Sequence, residues 1–146
     1  MAYLGVFDKS YRDECIGEWM NLLKKFNISC AENVNLQTIL GDQVKIVQWT
    51  SFGLPSDSFS VENAIIMDHS ERWSLMIDPQ MQANKWLKAQ HKAAKEDDPQ
   101  LMVVKPTMNS QAMSRNLEVA ITMGSPVIFE DATETFDPML DPLLSK

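Results

Sequence analysis

With 146 residues, 45% of them apolar and 23% charged, the chain is long enough for one domain with a real core and has an ordinary globular composition. A formal net charge of -7 argues against nucleic acid or an anionic membrane as a whole-surface partner. No apolar run approaches a membrane span, and no basic segment leads into an apolar one at the N-terminus.

Cys15 and Cys30 read as reduced thiols of an intracellular compartment, a single disulfide being the less favoured alternative. The methionines read as gap-filling core. Residues 1–9 form an entry segment. Ser10 is then placed to cap a helix whose inward stripe is Tyr11, Cys15, Trp19, Leu22, Leu23 and Phe26, with Arg12, Asp13, Glu18, Lys24 and Lys25 on the other face. Asn35 to Leu40 reads as a short helix closed by Gly41. Asp42 caps the next through Val44, Ile46, Val47 and Trp49, although a strand fits so short a run as well. Gly53-Leu54-Pro55-Ser56-Asp57 is turn chemistry. Ser60 marks a helix start with Ala64, Ile65 and Ile66 as its apolar face. His69 reads as part of a solvated turn with no partner at metal-ligand spacing, and His91 lies on the exposed side of its helix with nothing to mark it as catalytic.

From Arg72 the pattern changes to alternating strands and helices. A buried strand over 74–78 leads through the turn Asp78-Pro79-Gln80 to a helix over about 82–96, with Ala83, Trp86, Leu87 and Ala94 inward. Leu101 to Val104 is a second strand, stopping at Pro106. Ser110 opens a helix with Met113, Leu117, Ala120 and Ile121 inward, and Gly124 ends it. Pro126 to Phe129 is a third strand. Such alternation is the signature of a parallel sheet built from βαβ units. Asp137-Pro138 and Asp141-Pro142 each favour a short helical turn, and the abrupt stop at Lys146 suggests a piece of something larger.

A strand that turns tightly into a helix is the frame of a phosphate-binding loop, because the first helical N–H groups lack partners and face an anion. The working loop reads GxxxxGK[ST]. Here Asp78 stands at the first glycine, Ala83 at the second and Asn84 at the lysine, with no hydroxyl at Lys85 or Trp86. A carboxylate about 5 Å from a phosphate costs roughly 3 kcal/mol at an effective dielectric near 20. Loss of the lysine removes about 1.5–3 kcal/mol more. The frame persists without its gripping groups, and Lys85 is the nearby cation able to swing in as a substitute. An ordinary strand–turn–helix with no ligand is the first reading of this segment taken alone. Downstream, Glu130 and Asp131 follow the third strand, where phosphate-loop ATPases carry a magnesium-binding Asp and a water-polarising Glu. The two acids are present in swapped order, or are simply polar residues at a strand end.

The string WTSFGLPSDSFSVENAIIMDHSERWSLMIDPQMQANKWLK, with GSPVIFEDATETFDPMLDPLL downstream, resembles the fifth AAA+ unit of a dynein heavy chain motor ring. YLGVF and Tyr11-Arg12 resemble the segment just after that protein's coiled-coil stalk. Asn63-Ala64-Ile65-Ile66 is closer to axonemal than to cytoplasmic heavy chains. The family's loop usually has Gly where this chain has Met81, and Pro where it has Ser74.

The resemblance implies an α/β fold: the large subdomain of an AAA+, P-loop NTPase-like unit with a parallel sheet flanked by helices, incomplete at the C-terminus. Residues 1–73 would be its helical part and 74–146 its βαβαβ part. It implies a degenerate, empty phosphate loop at Asp78, Pro79, Gln80, Met81, Gln82, Ala83, Asn84 and Lys85, and a degenerate Walker-B-like pair at Glu130 and Asp131. No catalytic residue and no metal ligand are expected. No cofactor is expected in this stretch, while ATP and magnesium belong to the parent motor. The implied function is structural and non-hydrolysing, relaying ring movement towards the stalk and buttress. The implied partners are neighbouring AAA+ units and the stalk and buttress, with microtubules and dynein intermediate and light chains reached through the parent. No nucleic acid and no membrane are expected. The implied location is cytoplasm and cytoskeleton, at the axoneme of a cilium or flagellum. The competing expectations are a weak nucleotide-binding or ATP-hydrolysing domain using Lys85, Glu130 and Asp131, and a separately expressed motor-derived binding protein without catalysis. The isolated chain is expected to be poorly soluble or oligomeric.

Overall fold

The structure, a computed structural model, describes residues 2–93, 99–105 and 107–145. It divides into two compact units, Met1–Ala83 and Asn84–Lys146.

The first unit is helical. A 3-10 turn at Ala2–Val6 precedes α1 (Lys9–Lys25). Asp8, not Ser10, caps α1. Its carboxylate accepts from the Tyr11 amide at 2.8 Å, and the Ser10 hydroxyl is itself a donor to that carboxylate at 2.8 Å. The predicted apolar stripe does not face inward either. Tyr11, Trp19, Leu22 and Phe26 are exposed, while Cys15 and Leu23 are half-buried. Arg12, expected on the polar face, is buried, with Ile16 and Met20 half-buried one and two turns on. Its guanidinium offsets part of the cost of burial by donating from Nη2 to Asn63 Oδ1 at 3.1 Å and from Nε to the Asp8 carbonyl at 3.4 Å, while Nη1 is buried without a hydrogen-bond partner among the described residues. Both cysteines are free thiols.

α2 (Leu36–Leu40) starts in a capping box. Asn35 accepts from the Thr38 amide at 2.8 Å and donates its own amide to the Thr38 hydroxyl at 3.1 Å. Gly41 closes it, and Asp42 caps α3 (Gln43–Ser51), which buries Ile46 and Trp49 but exposes Val44 and Val47. α4 (Ser58–His69) begins two residues before the predicted start. Asp57 accepts from both the amide and the hydroxyl of Ser60, so Ser60 lies inside the first turn as a donor. Val61, Ala64 and Ile65 are the buried face of α4, and Ile66 is half-buried.

The predicted strand over 74–78 is not formed. Leu75 is 79% exposed and Ile77 91% exposed, and the sheet among the described residues contains two other strands alone. A strand is stabilised by a ladder partner and a covered face, and apolar composition supplies neither.

In the second unit, α5 (Gln82–Lys92) buries Trp86 and half-buries Ala83 and Leu87. Ala94 and the predicted end of this helix lie outside the described residues, as does Pro106. β1 (Met102–Val104) and β2 (Val127–Phe129) pair in parallel, Met102 opposite Val127 and Val104 opposite Phe129. The crossover between them is α6 (Ser110–Met123), capped by Asn109 and ended by Gly124 at φ 66°. Met113, Leu117 and Ala120 face the sheet, whereas Ile121 is exposed, being turned about 100° from Ala120 around the helix. Val104, Met113, Leu117 and Leu140 form the core. The two Asp-Pro units become a 3-10 turn at Pro138–Leu140, capped by Asp137, and α7 (Asp141–Leu144). Asp141 makes no capping bond of its own. The described sheet is thus one βαβ unit, smaller than the βαβαβ arrangement expected.

Candidate functional site

The two halves of the expected phosphate pocket have different local chemistry. In the loop half, Pro79 and Gln80 form a bend and Met81 follows it with φ 58°, a left-handed conformation. For a residue with a Cβ this costs about 1–2 kcal/mol, a cost that glycine avoids. The Met81 amide donates to the Asp78 carbonyl at 3.1 Å, and the Gln82 amide donates to Asp78 Oδ1 at 2.8 Å. An unpaired amide at a helix start is the group that would bind a phosphate oxygen. Here the chain's own carboxylate takes one of them. Lys85, the proposed substitute cation, is exposed on α5.

Asn84 and Glu130 are brought together. Glu130, one residue past β2, is 6% exposed, and its Oε1 accepts from Asn84 Nδ2 at 2.8 Å and from the Lys88 ammonium. Its Oε2 meets Lys105 Nζ at 2.9 Å. Lys88 lies one turn along α5 from Asn84, on the same face, and Lys105 follows β1 directly. These donors, Lys88 foremost and then Asn84 and Lys105, hold the Glu130 carboxyl down to about 2. Glu130 in turn raises the pKa of Lys105. Asp131 sits at φ 54° with its carboxylate 4.0 Å from Lys105 and is 75% exposed.

Sequence reasoning named Asn84, Glu130 and Asp131 but missed Lys88 and Lys105. The four-residue step from Asn84 to Lys88 on one helix face was the available signal. Lys105 required knowing that β1 and β2 are neighbours in parallel, which brings their C-terminal ends together.

A magnesium-bound triphosphate needs carboxylate lone pairs free for the metal and its water, and cations and amides free for the phosphates. These residues do not fit it. Glu130 accepts from two ammonium groups and an amide, and a carboxyl held near 2 is too weak a base to polarise water at neutral pH.

An ATP-binding dynein motor region matches residues 47–146. The chain is 43% identical over 146 residues to dynein axonemal heavy chain 3 of Mus musculus, a match covering 100% of this chain and 3% of that protein. It is 40% identical over 146 residues to dynein axonemal heavy chain 6 of Homo sapiens, with the same 100% and 3% coverage. It is 39% identical over 147 residues to the dynein-1-beta heavy chain, flagellar inner arm I1 complex, of Chlamydomonas reinhardtii, again covering 100% of this chain and 3% of the relative. The chain therefore spans about 3% of the length of the curated relatives it matches.

Proposed function

This chain belongs to the dynein heavy chain family, within its ATP-binding motor region, and from that premise we propose that it is a structural, non-hydrolysing AAA+ module of an axonemal motor, corresponding to the fifth unit of the ring. The observation that carries this reading is Glu130. The acid expected to serve magnesium and water is instead bonded to Lys88, Lys105 and Asn84. Asp78 on the Gln82 amide supports it from the other half. No ATP and no magnesium serve this module, whereas the parent motor uses both elsewhere in its ring.

Its work is then mechanical. The module passes ring movement between its neighbours and towards the stalk and buttress, and it reaches microtubules and the intermediate and light chains only through the rest of the heavy chain. Exposed Leu75 and Ile77, in an apolar run of a kind normally covered on both faces in a parallel sheet, support a role in which further heavy-chain structure lies against this one. The place of action is the axoneme, as the names of the relatives suggest. Among the described residues no helix is long and apolar enough to cross a membrane.

The test is a radiolabelled ATP assay with magnesium on the 146-residue chain. The expected result is phosphate release no faster than in the Glu130→Gln variant. Turnover that depends on magnesium and disappears in Lys85→Ala would establish the hydrolytic reading instead.

A further inference from the structure

We propose that Lys88 and Lys105 take the electrostatic place of a divalent cation at Glu130, so that α5 is tied to the ends of β1 and β2 by the chain's own charges. The inference deepens the non-hydrolysing reading and rests on it. Its geometry is that of a bridge. One carboxylate oxygen belongs to the helix, through Asn84 and Lys88, and the other to the end of β1, through Lys105. Glu130 itself continues from β2, and its amide donates to the Val104 carbonyl at 2.9 Å. A single buried side chain therefore joins the helix and both strand ends.

The charges close. Glu130 and Asp131 supply two negative charges and Lys88 and Lys105 two positive ones, the same positive charge that one magnesium ion would bring. A metal ion approaching Glu130 would have to displace one ammonium group while remaining close to the other. Both lysines keep their side chains about half exposed, 42% and 48%, while the acid is 4% exposed. The ammonium groups thus reach inward to a fixed anion, the arrangement that a buried carboxylate needs to remain charged. Lys88 and Lys105 act as positioning residues: they touch no reactant and set the state and place of Glu130.

The experiment is a carbon-13 NMR titration of the Glu130 carboxyl in the full chain, with manganese as a paramagnetic probe. Among the described residues the charged groups facing it are Lys88 from α5, Lys105 from the end of β1 and Asp131 from its own strand end. In the unaltered chain the carboxyl is expected to titrate far below ordinary glutamates, and manganese is expected to leave the Glu130 and Asp131 resonances sharp. In Lys88→Met/Lys105→Met the titration is expected to rise by more than tenfold in proton affinity. Lys88→Arg should stay close to the unaltered chain, which a merely space-filling role would not require. Should the double variant fail to fold, the unaltered chain still decides. An ordinary titration there, or selective manganese broadening at Glu130, overturns the proposal, as does a folded double variant that titrates unchanged. ATP turnover alongside a low Glu130 titration would remove the non-hydrolysing reading and leave the charge bridge standing, so the two failures are distinguishable.

Discussion

Residues 78–85 and residues 127–131 are the two segments from which a phosphate pocket is expected, and their local chemistry differs. The loop segment has a turn and a helix start without the glycines, lysine and hydroxyl of a working loop. Met81 still adopts the left-handed backbone of a glycine position, and an amide at the start of α5 still holds an anion, but the anion is Asp78. In the acidic segment the carboxylate serves as acceptor for the chain's own donors. Glu130 is present, buried and charged, and its partners are lysines. A turn can hold a left-handed residue and an amide-bound carboxylate by purely local bonds, whereas a buried acid depends on counter-charges brought from other elements.

The difference can be measured, and acid should show it most strongly. A carboxyl whose folded pKa is depressed stabilises the fold above its unfolded value and loses that contribution as pH falls through the folded one. For Glu130 the window runs from 4.5 down to about 2. The shift corresponds to about 3 kcal/mol as an upper figure. Asp8 and Asp57 are also depressed, chiefly by the backbone amides of Tyr11 and Ser60, and act in the same direction. The Glu130 share is therefore the difference in acid dependence between the unaltered chain and Glu130→Gln, followed by urea unfolding at each pH.

At neutral pH, Glu130→Gln should cost about 2 kcal/mol, because the amide offers one acceptor oxygen where the carboxylate offers two, and leaves one ammonium group facing an N–H donor. Asp131→Asn should change stability by less than about 0.5 kcal/mol, since an exposed ion pair contributes little. Equal effects at the two positions would erase the distinction drawn between them. In the loop half the expected effects are smaller. Asp78→Ala removes the side-chain acceptor at the start of α5 and should cost about 1 kcal/mol, read as faster amide exchange in the first turn. Met81→Gly should stabilise by about 0.5–1 kcal/mol, the relief of left-handed strain less the added freedom of the unfolded chain. A destabilising Met81→Gly would mean that the side chain, rather than the backbone, has become the functional part of that turn.

Much of the fold was legible where the deciding interaction is local. Asn35 and Asp42 start helices and Gly41 and Gly124 end them through bonds or dihedral angles within a few residues, and Met113, Leu117 and Ala120 follow from helical spacing alone. Distant partners were not legible. Arg12 is buried because Asn63 lies opposite it, and nothing near Arg12 in the chain announces that. The covered face of α1 differs from the one its apolar spacing indicates: Tyr11, Trp19 and Phe26 are exposed, and Arg12 is buried with its guanidinium on Asn63. The strand expected over 74–78 failed in a related way, since a run of Leu75, Met76 and Ile77 shows a propensity and not a partner. In the candidate site the identities of Asn84 and Glu130 were visible, while their use depended on two lysines brought in by tertiary structure.

The central claim, that the acid expected to serve nucleotide is held by the chain's own lysines, is tested most directly by isothermal titration of magnesium ATP into the purified chain at millimolar concentration. The result expected is heat of dilution alone, in the unaltered chain and in Glu130→Gln alike. Saturable binding in the micromolar range that requires magnesium and vanishes in Glu130→Gln would contradict it.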